Sequence, residues 1–219
     1  SLQQVKFLGN TDDVAFIIGR SDRRLIGKPA LHSAVPLTLW AIPQLRLEFR
    51  SQTYFDTLTK FQPRKGARLR FENAGLLFQA GATLSAVGTA LDSANGITFK
   101  PARAGVNFYG LLLANPGAPT GAFPPPFPIA TSTMAFVMVD SASGQGSGYF
   151  GGSVALTTQD RHRLLISDAR LRRSLNAAIY LGAPGSSITR VRIDTTGNPT
   201  TSYSAVALND SIAVDSLTV

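Results

Sequence analysis

Cysteine is absent from the 219 residues, which excludes disulfides, thiolate metal sites and cysteine nucleophiles. Glutamate is nearly absent, with Glu48 and Glu72 the only two, and lysine is scarce at five residues against sixteen arginines. Long solvated helices are normally furnished with Glu and Lys, so this shortage argues against a helical fold. There are two histidines, His32 and His162, and a histidine-based metal site needs both to converge with carboxylates. His32 sits in a loop-like segment and His162 in a basic turn, so each reads as a surface histidine. No apolar run approaches the roughly 18 residues of a membrane-spanning helix. The opening segment lacks a basic start followed by an apolar run, so no targeting signal is expected; the initial Ser is explained equally well by missing upstream residues and by removal of an initiator Met. No G-x-S-x-G elbow, H-E-x-x-H pair or phosphate-binding P-loop occurs. Asp12-Asp13 and Asp210 with Asp215 have the oxygen chemistry for a hard cation, but aspartates in turns are more often solvated caps. The expectation is therefore a protein that is not an enzyme, with no cofactor and no metal.

What the sequence does have is alternation with period two. Leu45, Leu47 and Phe49 face one way and Arg46, Glu48 and Arg50 the other; Leu69 and Phe71 repeat the pattern against Arg68, Arg70 and Glu72. Both segments read as half-buried strands with an apolar inner face and a wet, exposed outer one. Further short runs of the same kind recur along the chain, from Val5–Leu8 and Asp13–Ile18 to Ser211–Leu217, separated by Gly, Pro, Asn and Ser. The best helix candidate, Asp168 to Tyr180, can equally be read as two strands. Parallel strands joined by helices need intervening helical patterns, and these are lacking. The expected fold is all-β, an antiparallel β-sandwich of jelly-roll type, in one domain over residues 1–219 with long loops at 115–133 and 141–152.

Two segments bend the chain in the same way. Phe61-Gln62-Pro63-Arg64-Lys65-Gly66 precedes the strand at 68–72, and Phe99-Lys100-Pro101-Ala102-Arg103-Ala104-Gly105 precedes the strand at 106–113. In each, Pro ends strand pairing and Gly supplies the turn, as a corner between two sheets requires. The stretch Asn95 to Tyr109 resembles the strand–Pro–x–x–Gly–strand corner of complement C1q-like and tumour-necrosis-factor-like jelly rolls, and similar corners occur in virus and phage surface proteins. That resemblance covers about 25 residues once Ser153 to Arg161 is included. It implies a jelly roll, often trimeric, and no chemistry.

Two kinds of surface residue are candidates for contact. The first loop ends in Phe123-Pro124-Pro125-Pro126-Phe127-Pro128 and holds six of the thirteen prolines; the second is Gly/Ser-rich and leads to Tyr149-Phe150. A stiff proline rod flanked by phenylalanines suits docking onto a neighbouring subunit, so Phe123, Pro124, Pro125, Pro126, Phe127, Tyr149 and Phe150 are the expected partner contacts. The second candidate is basic. If the strands at 44–50 and 68–72 pair, Arg46, Arg50, Arg64, Lys65, Arg68 and Arg70 form one surface able to face phosphate. The alternative reading is a solvated sheet face with cross-strand ion pairs. Net charge is +8, yet no basic disordered arm is present, so nucleic acid is a disfavoured partner.

These features lead to the expectation of a structural virion protein: a capsid, decoration or fibre subunit acting through self-assembly and contacts with other virion proteins. An extracellular carbohydrate- or ligand-binding adhesion module is the alternative.

Overall fold

The computed structural model describes residues 14–17, 24–25, 38–41, 46–50, 53–55, 60–78, 81–115, 129–142, 154–160, 162–175, 177–196, 205–208 and 212–219. The strands follow one another in coils of three. Val14–Ile17 (β1), Arg24–Leu25 (β2) and Thr38–Ala41 (β3) form the first coil. Arg46–Phe49 (β4), Thr53–Phe55 (β5) and Lys60–Pro63 (β6) form the second, and Arg68–Phe71 (β7), Ala74–Phe78 (β8) and Thr83–Val87 (β9) the third. Ile97–Pro101 (β10), Phe108–Asn115 (β11) and Ala130–Ala135 (β12) form the fourth. Val137–Asp140 (β13), Val154–Asp160 (β14) and His162–Ser174 (β15) come next, then Ala177–Leu181 (β16), Ser187–Thr196 (β17), Val206–Leu208 (β18) and Ala213–Thr218 (β19). Strands β15 and β17 are long because each closes one coil and opens the next.

Every registered pair between these strands is parallel, and each strand lies beside its counterpart one coil away. The order β1-β4-β7-β10-β13-β15 makes the first face, and β3-β6-β9-β12-β15 the third. Strand β15 joins them into one curled twelve-stranded sheet, while a seven-stranded sheet from β2 to β18 makes the second face. The architecture is a parallel β-solenoid. All-β character holds, but the antiparallel jelly-roll sandwich is overturned. The physical reason is the crossover. Parallel neighbours need a long connection, which is usually a helix; here the other two strands of the coil supply it. Among the described residues, the shortest register repeat is 22, as between Arg46 and Arg68 (68 − 46) and between Leu165 and Ser187 (187 − 165).

Both Pro/Gly segments are corners between faces, but the first joins two faces of one curled sheet and only the second joins different sheets. Pro63 ends β6 and Gly66 turns with φ 75°; Pro101 ends β10 and Gly105 turns with φ 78°. The stretch from Asn95 to Tyr109 therefore bends around a solenoid edge, with consecutive strands β10 and β11 in different sheets. Other corners are sharper. Met134–Asp140 is two strands broken by a single left-handed residue, Phe136 at φ 52°. Asp168, Arg190 and Ser216 take the same conformation in the same corner of the following coils. Asp168 to Tyr180, the helix candidate, lies in strands β15 and β16. A third corner carries an asparagine pair: Asn107 donates through its backbone N–H to Asn73 Oδ1 at 3.2 Å, and Asn73 is itself left-handed.

Inward residues stack along the axis. One column runs Leu47, Leu69, Phe99, Val139, Leu171 and Ile193, all buried and each in register with the next. Phe49, Phe71 and Phe108 stack face to face beside it, with centroids 5.1 and 4.1 Å apart. Phe61, Phe55 and Phe78 form a second aromatic stack at 5.1 and 4.6 Å. The inward assignment of Leu47, Phe49, Leu69 and Phe71 thus agrees with the alternation, while the side chain of Leu45 lies outside the described residues.

The coils also approach closely at Gly110, where φ is 99° and β11 bulges against β8. A Cβ there would lie 2.6 Å from the Ala155 carbonyl oxygen of the next coil. Gly110→Ala combines that clash with an unfavourable φ and should cost about 1–3 kcal/mol. Denaturant titration checks this; an unchanged midpoint would contradict the backbone contact.

Candidate basic groove on the first face

The outward side of the first face concentrates charge because a parallel register stacks like positions. Arg46 registers with Arg68, and Arg68 with Thr98. Glu48 registers with Arg70, and Arg70 with Lys100. Further along, Met138 registers with Arg170 and Arg170 with Arg192, while Asp140 registers with Arg172 and Arg172 with Asp194. Parallel strands lie about 4.8 Å apart, so cations on neighbouring coils repel unless anions intervene.

The acids of this face already have partners. Glu48 accepts from Arg50 at 3.0 Å, and Glu72 is flanked by Arg50 at 3.3 Å and by Arg103. Asp140 is held bidentately by Arg173 at 2.9 and 2.6 Å. Burial pushes the Asp140 carboxyl up, but hydrogen bonds from Arg173 and Ser141, with Arg172 nearby, bring it below the usual carboxylate range. Asp194 is shared by Arg170 and Arg192, whose hydrogen bonds likewise lower it. Among the described residues no carboxylate lies within ion-pair distance of Arg68, Lys100 or Arg172. Arg70 donates to Thr98 Oγ1 at 3.2 Å and to the Leu69 carbonyl at 3.3 Å. Its charge, with partial burial, holds the Lys100 ammonium below its ordinary range despite the opposing effect of Asp140. This is a positive surface with incomplete internal compensation.

A groove of about 470 Å³ opens in this surface, which is within the size range of small-molecule sites. Arg68, Arg70, Lys100 and Arg172 line it with charge, and Thr98 and Met138 lie between them. The turn from Gly88 to Gly96 contributes Leu91, Asp92 and Ser93 to its lining. That turn is fixed at both ends: Gly88 N–H donates to the Ala135 carbonyl at 2.9 Å, and Ile97 N–H to the Phe136 carbonyl at 3.1 Å. A Cβ on Gly88 would lie 2.9 Å from the same Phe136 oxygen, so the turn sits directly on the corner. Within it, Asp92 Oδ1 accepts the backbone N–H groups of Ala94 and Asn95, both at 2.8 Å. The Asn95 side chain, followed by those backbone bonds, holds the Asp92 carboxyl below its usual range.

The sequence-derived basic set is distributed as follows. Arg68 and Arg70 lie on β7 and Arg46 is the backbone register partner of Arg68, though the Arg46 side chain lies outside the described residues; Arg64 and Lys65 are exposed in the corner leading into β7. Arg50 is engaged with Glu48 and Glu72. Glu48 corrects the expectation of full exposure: it points outward but is 7% exposed, with the Arg50 side chain bound to it. His162 is the larger correction. It is 0% exposed, inside the third face, with Nε2 2.7 Å from Ser132 Oγ. Burial lowers its imidazole to about 4. Phe123, Pro124, Pro125, Pro126, Phe127, Tyr149 and Phe150 lie outside the described residues.

Lys100, Arg172 and the groove wall at Leu91 and Asp92 did not emerge from the alternation. The signal that finds them is the coil spacing, which lays Lys100 beside Arg70 and Arg172 beside Asp140. Among the described residues no helix is long and apolar enough to cross a membrane, and no group of three or more His, Asp or Glu could hold a metal ion. No family model, curated protein or solved structure matches the chain.

Proposed function

We propose that this chain is a non-enzymatic structural and binding rod, displayed on a particle or cell surface, whose first face docks an extended acidic polymer. The observation that carries the reading is the gathering of Arg68, Arg70, Lys100 and Arg172 around one groove, with Arg70 in register with Lys100, on a face where Glu48 and Asp140 are engaged by Arg50 and Arg173. A rigid sheet presents these cations at fixed spacing, so a linear polyanion meets several at once without ordering a flexible arm. Asp140 and Asp194, held below their usual range by hydrogen bonds from arginine, are poorly suited to shuttling protons near neutral pH. A virion fibre or decoration subunit and an extracellular adhesion module are both settings in which such a rod would work.

Retention on immobilised poly-glutamate tests the reading. The wild-type protein should be retained at low salt and released as ionic strength rises, because the contacts are charge pairs near the surface. The triple variant Arg68→Gln, Lys100→Gln, Arg172→Gln should elute at much lower salt while melting as the wild type does. Equal retention of the two proteins would contradict the assignment of this face.

A further inference from the structure

The groove has a composition that a simple polyanion does not call for. Besides cations it contains two carboxylates, Asp92 and Asp140, and apolar groups at Leu91 and Phe136. Carboxylates beside the cations disfavour a densely charged ligand such as a polyphosphate, since like charges repel in a confined site. They favour a ligand that carries hydroxyl donors as well as an anion. Both carboxylates retain acceptor capacity. Among the described residues, Asp92 Oδ2 accepts only the Asn95 side chain at 2.9 Å, and Asp140 Oδ2 only Arg173 at 2.6 Å.

The apolar groups are also out of place for a plain electrostatic surface. Leu91 is 44% exposed on the turn that borders the groove. Phe136 occupies a left-handed corner at φ 52°, a conformation that bulky side chains avoid. The next three coils fill that corner with Asp168, Arg190 and Ser216, so the fold does not require an aromatic there. Phe136 is half-buried and lines the groove.

We propose that the groove is a subsite for a carboxylate-bearing sugar unit of an acidic polysaccharide. Arg70, Lys100 and Arg172 receive the sugar carboxylate. Asp92 and Asp140 accept from ring hydroxyls, and Leu91 and Phe136 cover the C–H face of the ring. A sugar acid unites these three chemistries in one residue, which neither a peptide polyanion nor a phosphate chain does. The partial burial of Lys100 and the crowding of cations around it, which lower its ammonium, are relieved when an anion arrives. This proposal rests on the acidic-polymer reading of the face and narrows it to carbohydrate.

Calorimetric titration with oligoglucuronate and with poly-glutamate of equal charge separates the two levels. Wild-type protein should bind oligoglucuronate about tenfold more tightly, the margin expected from apolar and hydroxyl contacts added to the shared charge pairs. Phe136→Asn should keep the fold, because asparagine tolerates the left-handed region, and should bring the two affinities level. Leu91→Ser, a change at an exposed turn, should narrow the gap in the same direction and gives an independent check on folding. Equal affinities in the wild type, or a gap that both variants leave intact, would overturn the sugar subsite while leaving the basic face standing. Absence of binding to both ligands would overturn the basic face together with the subsite.

Discussion

Phe71→Ala should cost about 3–5 kcal/mol, the range for removing a fully buried aromatic from a packed core. Phe71 is 0% exposed and sits between the rings of Phe49 and Phe108, nearly parallel to both at 11° and 15°. The substitution removes the middle member of a stack that spans successive coils. A solenoid has few ways to close such a gap, because moving one coil inward breaks hydrogen bonds to both neighbours. Part of the loss comes from the aromatic contacts, at about 0.5–1.5 kcal/mol for each pair, and most of it from burial and the cavity left behind. In a chain of this size each kcal/mol lowers the melting temperature by roughly 2–4 °C, so the shift is easily resolved. Lys100→Ala, on the outer side of the same sheet, should stay within about 0.5 kcal/mol. A loss below about 1 kcal/mol for Phe71→Ala would mean that the aromatic stack is not the core of the rod.

Between pH 7 and pH 4 the protein should lose about 3 kcal/mol through His162 alone. In the fold its imidazole titrates near 4 because burial disfavours the charged form, whereas the unfolded chain titrates near the ordinary 6.5. Between those values the unfolded state binds more protons, so stability falls as pH falls. The contribution is complete above the unfolded value, is lost through the window from about 6.5 to 4, and does not change further below it. The carboxylates of Asp92, Asp140, Asp168 and Asp194 are all held below their ordinary range, so their losses begin at lower pH. That separation makes the upper window a signature of the histidine. Ser132 Oγ accepts the Leu84 N–H at 2.9 Å and also meets His162 Nε2, while Nδ1 has no partner among the described residues. His162→Gln removes the titrating group. Denaturant titrations at pH 7 and pH 4 should therefore show the wild type losing about 3 kcal/mol more than the variant, and equal losses would show that the imidazole is not the sensitive group.

The period-two alternation made the strands legible, because inward and outward positions are chemically unlike at Leu47, Leu69 and Phe71 against Arg68 and Arg70. It could not supply the direction of pairing. Alternation is the same in parallel and antiparallel sheets with one wet face, and the missing helices looked like evidence against parallel strands. The coil repeat that would have corrected this is uneven. Asp168 and Arg190 are 22 residues apart, whereas the register partners Ala130 and His162, also one coil apart, are separated by 32 (162 − 130). The turns at Gly88–Gly96 and Ala102–Asn107 and the long segments after Asn115 and Ala142 blur the period. His162 misled for a different reason. Its neighbours Asp160, Arg161 and Arg163 are polar, but it is the first residue of β15 and faces the interior opposite Ala130. The basic face was legible in part, since Arg46, Arg68 and Arg70 lie on strands that do pair. Lys100 and Arg172 joined it only through coil register, which no local pattern encodes.

Everything proposed for the groove depends on parallel stacking in this register, and engineered crosslinks measure it directly. Thr98 and Met138 are register partners on β10 and β13, both on the outer side. Parallel neighbours lie about 4.8 Å apart, within disulfide range, and the chain has no cysteine of its own to interfere. Thr98→Cys with Met138→Cys should close an intramolecular disulfide under mild oxidation without loss of thermal stability. Thr98→Cys with Arg170→Cys spans two coils, about 10 Å, and should remain open. Mass spectrometry of the oxidised proteins reads both: a bridge in the first pair only is the predicted result, and an open first pair or a bridged second pair would contradict the stacking of the coils.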